Sequence, residues 1–93
     1  MSDTYDIQHR PERHRFEIAA EGHTAFAEYR QAGSVLTLTH TVVPKPLEGR
    51  GIAGALAKHV MAYAREHELK IDPQCAYMSA YMERHPETQD LLA

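Results

Sequence analysis

Apolar and polar residues alternate with period two along most of the first half of the chain. Phe16 and Ile18 share one side of the first alternating run, and Ala25, Ala27 and Tyr29 share one side of the next. Alternation of this kind is typical of strands that bury one face. We therefore predict an edge strand over residues 5–10 and further strands over residues 13–20, 23–31 and 35–43.

Short turn signals separate these runs. Glu21-Gly22 lies between the first two long strands, and Ala32-Gly33-Ser34 lies between the next two. Turns of two or three residues join neighbouring strands as hairpins, so the sequence predicts an antiparallel meander. Residues 1–4 are predicted to be a short polar lead.

The period of the apolar residues changes after Pro44. Ile52, Leu56 and Val60 follow one another at helical spacing within an alanine-rich segment. The pattern predicts a helix over residues 51–67, a strand over 69–72, a helix over 76–84 and a final turn or short helix over 87–92. The element order is then β-β-β-β-α-β-α, which is an α+β class with a tendency toward a three-layer α/β arrangement.

Composition restricts the class of protein further. A chain of 93 residues is expected to form one small domain over residues 1–93. Its net charge of −3 argues against general nucleic-acid binding, and its single cysteine excludes an internal disulfide. The sequence contains no apolar run of membrane-spanning length and no secretory signal. We expect a cytoplasmic protein, monomeric or weakly dimeric, that binds neither membrane nor nucleic acid.

A glycine-rich connector joins the last strand of the meander to the first helix. It reads Gly49-Arg50-Gly51-Ile52-Ala53-Gly54. Glycines let backbone N–H groups converge on a ligand, and the helix N-terminus adds unpaired donors and partial positive charge. These features favour an anion site, most often for phosphate, over a turn that glycines merely relax.

The connector also matches the G-x-G-x-x-G fingerprint of dinucleotide-binding domains. Asp72 follows Gly54 at a distance that resembles the ribose-binding acid of that fold. However, Pro44–Glu48 separates the strand from the first glycine, and too few residues follow Asp72 for the remaining β-α units. A P-loop is excluded because no Gly-Lys-Ser/Thr sequence follows.

The connector is more similar to the acetyl-CoA loop of the Gcn5-related N-acetyltransferases, whose pattern is Arg/Gln-x-x-Gly-x-Gly/Ala. Gly51-Ile52-Ala53 supplies the Gly-x-Ala part, and Pro73-x-Cys75-x-Tyr77 and Tyr81–Pro86 resemble the small single-domain branch of that superfamily. The resemblance extends over residues 16–92. It implies a mixed, mostly antiparallel sheet with splayed central strands. Glu48 departs from the pattern, and a carboxylate there either repels the pyrophosphate or caps the helix.

The resemblance implies a site for acetyl-CoA, the acyl donor. Backbone amides of residues 49–54 would hold the pyrophosphate, with added charge from Lys45 and Arg50, and the main chain of residues 41–43 would run beside the pantetheine arm. The implied cofactor-binding residues are Thr41, Val42, Val43, Glu48, Gly49, Arg50, Gly51, Ile52, Ala53, Gly54, Tyr77 and His85. An N–H near Val42 would polarise the thioester carbonyl.

Three residues are candidates for catalysis. Cys75 lies at a predicted helix start, which favours the thiolate, so it either accepts the acetyl group or protonates the departing CoA sulfur. A small buried apolar role is the alternative. Tyr81 lies one residue before the general-acid tyrosine of larger relatives, where this chain has Met82. His40 is the best candidate general base, predicted to lie on the same side of its strand as Leu36 and Leu38.

The histidines elsewhere in the chain carry no metal-ligand spacing, so we expect no metal site.

The sequence and its resemblance together predict a minimal acetyl-CoA-dependent N-acetyltransferase that acts on an unidentified amine, small or on a protein, by direct attack or through Cys75. The alternative is a non-catalytic module that binds acyl-CoA or docks a partner in the same cleft.

Overall fold

The computed structural model describes residues 5–93. The predicted polar lead over residues 1–4 lies outside the described residues. The strands are β1 (Ile7–Arg10), β2 (Arg15–Ala20), β3 (His23–Ala32), β4 (Val35–Val42) and β5 (Lys70–Pro73), and the helices are α1 (Ile52–Glu66) and α2 (Ala76–Arg84). Three 3₁₀ segments occupy Pro11–Arg13, Lys45–Leu47 and Pro86–Leu91.

One sheet contains all five strands in the order β1-β2-β3-β4-β5. The first four strands pair antiparallel through hairpins, and β5 pairs parallel to β4 after the crossover through α1. The predicted element order and the α+β class are confirmed. Because α1 returns the chain to the same edge of β4, β5 becomes its parallel neighbour, as βαβ crossovers require.

The helices cover one face of the sheet. Phe16, Ile18 and Leu36 are fully buried against the apolar stripe of α1, in which Leu56 and Val60 also exclude solvent. α2 contacts α1, β4 and β5, and its Met78 and Met82 join the same core. The helices therefore form a single layer, and the molecule has two layers instead of the three that the sequence left open.

Within residues 5–93 no helix covers the opposite face of the sheet, and we call it the open face. β3 alternates regularly, so Ala25, Ala27 and Tyr29 point into the core while Phe26 and Glu28 lie on the open face. This alternation was predicted from the sequence, since a pleated strand directs successive side chains to opposite faces.

A bulge interrupts the pairing of β3 with β4. Tyr29 pairs with Leu38, but the residue before it in β3, Glu28, pairs with His40, so Thr39 is the extra residue in β4. A bulge shifts the alternation of the strand that carries it by one residue. His40 consequently lies on the open face, and the prediction that it shares a side with Leu36 and Leu38 is wrong.

Aromatic and histidine rings pack against one another where β1 meets α1, and we call this contact the β1–α1 seam. The His9 ring stacks on Phe16 at 4.2 Å, meets the edge of Tyr63 at 4.9 Å and hydrogen-bonds through Nε2 to the Tyr29 hydroxyl at 2.6 Å. Burial lowers the pKa of His9, and the nearby charge of His59 lowers it further. The neutral imidazole is therefore the form that fits this seam.

Because the pKa of His9 is lowered in this seam, we predict that the protein loses stability in mild acid. The pKa of His9 is lower in the folded state than in the unfolded state, so below about pH 6.5 the unfolded chain binds more protons and is favoured. Denaturant unfolding at about pH 7.5 and about pH 5.5 should give a lower free energy of unfolding at the lower pH. The drop should shrink in His9→Gln and persist in His23→Gln, which changes an exposed histidine. An equal drop in wild type and His9→Gln would contradict this role of His9.

Candidate functional site

The parallel pairing of β4 with β5 brings two helix N-termini to one edge of the sheet. α1 begins after the carboxyl end of β4, and α2 begins after the carboxyl end of β5 with two residues between them. Because the strands are parallel, both carboxyl ends lie at the same edge, where ligands bind in sheets of this kind. The partial positive charges at the N-termini of both helices therefore lie close together at this edge of the sheet.

The two strands separate beyond this short pairing. β5 pairs with β4 only from Val35 to Leu38, and the amides of Gln74 and Cys75 both donate to the Leu38 carbonyl, at 3.1 and 2.9 Å. The remaining part of β4, residues 39–42, extends past the last β5 partner. The central strands are thus splayed, as the sequence resemblance implied.

The connector after β4 takes a shape that requires glycine. Gly49 and Gly51 have φ angles of +80° and +75°, in the left-handed region that disfavours other residues. Gly51 is the N-cap of α1, and no side chain caps this helix. Glu48 therefore does not cap α1, contrary to one of the two roles predicted for it.

A cavity of about 190 Å³ lies at this helix start. The predicted cofactor-binding residues that line it are Val43, Glu48, Gly49, Gly51, Ile52, Ala53, Gly54 and Tyr77. Leu47 also lines it and is fully buried, although the sequence analysis did not single it out. The signal for Leu47 was a lone apolar residue within a connector that is otherwise polar or glycine-rich.

Tyr77 closes the cavity from the side of α2. Its hydroxyl lies 3.7 Å from the position that a Cβ on Gly54 would occupy. Gly54 thus allows the tyrosine on the first turn of α2 to approach the first turn of α1. This contact links the two helix starts directly.

Arg50 does not line the cavity, because its side chain is held elsewhere. Its guanidinium pairs with both carboxylate oxygens of Glu21, and its carbonyl accepts a hydrogen bond from the Tyr5 hydroxyl at 2.7 Å. This hydrogen-bonded pair lowers the pKa of Glu21 and raises the pKa of Arg50. The pair was not predictable from the sequence, since its members lie in the β2–β3 turn and in the glycine-rich connector.

Cys75 and Thr41 meet where the strands separate. The Cys75 thiol lies 3.2 Å from the Thr41 hydroxyl and is 8% exposed. Cys75 is the N-cap of α2, but its side chain makes no capping hydrogen bond. The structure therefore brings this predicted catalytic residue next to one predicted cofactor-binding residue, at the edge that also carries the cavity.

His40 lies across the sheet from Cys75, on the open face. Its Nδ1 is 2.9 Å from Glu28 Oε1, and most of its ring is exposed. The extra residue of the bulge, Thr39, donates from its hydroxyl to the Glu28 carbonyl at 3.2 Å. Val42 shares the open face and is 41% exposed. Neither His40 nor Val42 lines the cavity.

Tyr81 and His85 lie farther along α2. Their rings stack at 3.9 Å, and His85 Nδ1 donates to the Tyr81 carbonyl at 2.7 Å, which ends the helix. Burial raises the pKa of Tyr81, so its phenol holds its proton firmly. Neither residue lines the cavity at Gly51. Tyr81 lines a separate open groove of about 420 Å³ between α1, α2 and the C-terminal 3₁₀ segment.

Two further features concern the described part of the chain as a whole. Within residues 5–93 no three histidine, cysteine, aspartate or glutamate side chains are grouped to hold a metal ion. Neither helix in this range has the length and apolar character needed to span a membrane.

Comparison with known proteins identifies similar sequences. A family model described as GCN5-related N-acetyl-transferase matches residues 15–91. Protein NATD1 of Xenopus tropicalis is 33% identical over 93 residues, covering 97% of this chain and 85% of that protein. Protein NATD1 of Homo sapiens is 33% identical over 88 residues, covering 91% of this chain and 78% of that protein.

A solved structure shares the fold. A GCN5-like protein from Staphylococcus aureus, determined by NMR in solution, superimposes with a TM-score of 0.77 and is 29% identical. The match covers 100% of this chain and 91% of the other. The strand order, the crossover helix and the position of the connector are therefore those of a known architecture.

The two glycines at the ends of the Gly51–Gly54 segment should respond oppositely to alanine. Gly51→Ala places a Cβ in the left-handed region and should lower the free energy of unfolding by about 1–2 kcal/mol. Gly54→Ala adds a Cβ inside α1, at ordinary contact distance from Tyr77, and should raise it by about 0.5–1 kcal/mol. Urea denaturation measures both values. A loss of stability in Gly54→Ala as large as in Gly51→Ala would contradict the described conformation.

Proposed function

We propose, because the chain belongs to the GCN5-related N-acetyltransferase family, that it binds acetyl-CoA at the edge where β4 and β5 separate and transfers the acetyl group to an amine. The observation that carries the proposal is the cavity at the uncapped start of α1, directly beside the separated strands. We place this activity in one domain over residues 1–93. The cytoplasmic location stays a prediction.

The residues of the cavity fit a pyrophosphate. The N-cap is a glycine without a side chain, so the first amides of α1 are available to an anion instead of an internal cap. Lys45 is exposed in the 3₁₀ segment that leads into the connector and adds a cation nearby. Glu48 is the one opposing charge, and its exposure keeps its carboxylate hydrated.

The separated strands suit an extended arm. Residues 39–42 of β4 continue past β5, so backbone groups on that side of the strand are free to pair with an extended ligand as another strand would. The route from the cavity along β4 ends near Cys75 and Thr41, which are in contact. We assign Thr41, Val42 and Val43 to this route and the cavity residues to the pyrophosphate.

Acetyl-CoA supplies an activated thioester that an unprotonated amine can attack. In the direct reaction His40 accepts the proton that the amine releases as its nitrogen bonds to the acetyl carbon, and Cys75 protonates the sulfur that leaves. In the relay the Cys75 sulfur takes the acetyl group first and passes it to the amine, while its own proton goes to the departing CoA sulfur.

The positions of the two residues favour direct attack. Cys75 is buried on the helix side of the sheet, while His40 is exposed on the open face. A base on the open face serves an amine that approaches from there, and an acid on the other side serves the leaving sulfur. Tyr81 is removed from the cavity and stacked on His85, so we give it no part in the reaction.

A non-catalytic module that binds acyl-CoA is the second candidate. Its support is Met82, which stands where larger relatives have a general-acid tyrosine and is buried in the core. This module would bind the same ligand through the same cavity, but it would leave the thioester intact.

Turnover and binding measured together test the proposal. The purified chain should bind acetyl-CoA in calorimetry and release CoA thiol only when a suitable amine is added. Cys75→Ser should keep its acetyl-CoA affinity and most of its turnover if attack is direct, because the serine hydroxyl can still donate a proton to the leaving sulfur. Thr41→Val is the matched control, because it removes the neighbouring hydroxyl and keeps the thiol.

Three other results of the turnover and binding measurements would change the proposed function. Near-complete loss of turnover in Cys75→Ser with unchanged affinity would favour the relay over direct attack, because the serine hydroxyl can donate a proton but is too weak a nucleophile to replace the thiolate. Tight binding with no transfer to any amine would favour the non-catalytic module. Absence of acetyl-CoA binding would overturn both functions.

A further inference from the structure

We propose that the acceptor binds on the open face of the sheet and that it carries an anionic group in addition to its amine. The amine lies at the Glu28–His40 pair, and the anionic group lies at three arginines around Glu17. This inference names the substrate class for the transfer reaction and rests on the proposed function.

The strand register places these groups in two neighbouring rows on the open face. The first row crosses β1 to β4 through Arg10, Arg15, Glu28 and His40, each paired with the next. The second row crosses the same strands through Gln8, Glu17, Phe26 and Val42. Both rows end on the part of β4 that extends past β5, where we place the thioester.

The arginine cluster forms the positive end of this surface. Glu17 accepts ion pairs from Arg10 at 3.6 Å, Arg13 at 3.4 Å and Arg15 at 3.7 Å. Three positive charges against Glu17, with Glu28 opposite Arg15 on the next strand, leave one in excess. Glu17 is 7% exposed, whereas the side chain of Arg13 is 62% exposed, so the carboxylate holds the cluster while guanidinium groups remain available to an anion.

An apolar strip connects the cluster to the separated strands. The Arg15 guanidinium lies 3.7 Å from the centre of the Phe26 ring, a cation–π contact. Phe26 pairs with Val42, which is a largely exposed apolar side chain. A short aliphatic chain between two polar ends can lie along this strip.

The Glu28–His40 pair forms the opposite end. Its carboxylate attracts an ammonium group, and its imidazole can take the proton that the amine must lose. The hydroxyl of Thr39, the extra residue of the bulge, donates a hydrogen bond to the Glu28 carbonyl. The bulge therefore helps to position the Glu28–His40 pair. Glu28 acts through His40 and is a positioning residue.

The distance between the two ends sets the size of the acceptor. Arg15 on β2 and His40 on β4 are two strand spacings apart, which is about 10 Å. An amine with a carboxylate or similar anion several bonds away spans this distance. A diamine of equal length meets the excess positive charge with its second ammonium group and is disfavoured.

Three acceptors of matched length test the inference: ω-aminohexanoate, its amide and diaminohexane. Acetyl transfer to aminohexanoate should have a kcat/KM about tenfold above that of the diamine. This ratio corresponds to a difference of about 1.4 kcal/mol in activation free energy. Arg15→Gln and Arg13→Gln should each raise the KM for aminohexanoate several-fold and leave the KM for acetyl-CoA unchanged. Arg13 is the second variant because the guanidinium over the Phe26 ring belongs to Arg15, so that contact stays when Arg13 is replaced.

The controls separate this inference from the proposed function. Arg84→Gln makes the same change of charge at the exposed end of α2 and should alter neither KM. Equal or better transfer to the diamine, or an unchanged KM for aminohexanoate in both arginine variants, would overturn the inference and leave the acetyltransferase standing. No transfer to any amine would overturn the proposed function and this inference with it.

Discussion

The short parallel pairing between β4 and β5 is the constraint on which the site depends. It extends only from Val35 to Leu38. Because the strands are parallel, the helices that follow them start at one edge, and because the pairing stops early, the end of β4 is left beside an opening. A longer pairing would fill the opening with β5, and an antiparallel one would place α2 at the opposite edge.

The bulge at Thr39 adds a second consequence. It shifts the alternation of β4, so Thr41 faces Cys75 on the helix side while His40 faces Glu28 on the open side. One extra residue in a strand thus distributes the polar groups to both sides of the opening. Because neither helix of the described residues covers the open face, this leaves an acceptor a direct approach to the strand that carries the base.

Most of the fold was predictable because its signals are local. α2 begins and ends at the predicted residues, 76 and 84, since prolines at 73 and 86 bound it, and five of the six residues of the Gly49–Gly54 connector line the cavity. The side of His40 was not predictable, because Thr37, Thr39 and Thr41 continue the alternation of the sequence through the bulge. The pairing of Arg50 with Glu21 was not predictable either, since it joins residues far apart in the sequence.

An amide chemical-shift titration of the isotope-labelled protein with CoA tests the central claim most directly. If the helix start and the separated strand hold the ligand together, the largest shifts fall in residues 49–54 and in residues 41–43, with Tyr77 and Cys75 close behind. Shifts confined to the groove lined by Lys58, Arg65 and Tyr81 would contradict the account, because that groove lies along the helices and away from the edge where β4 and β5 separate.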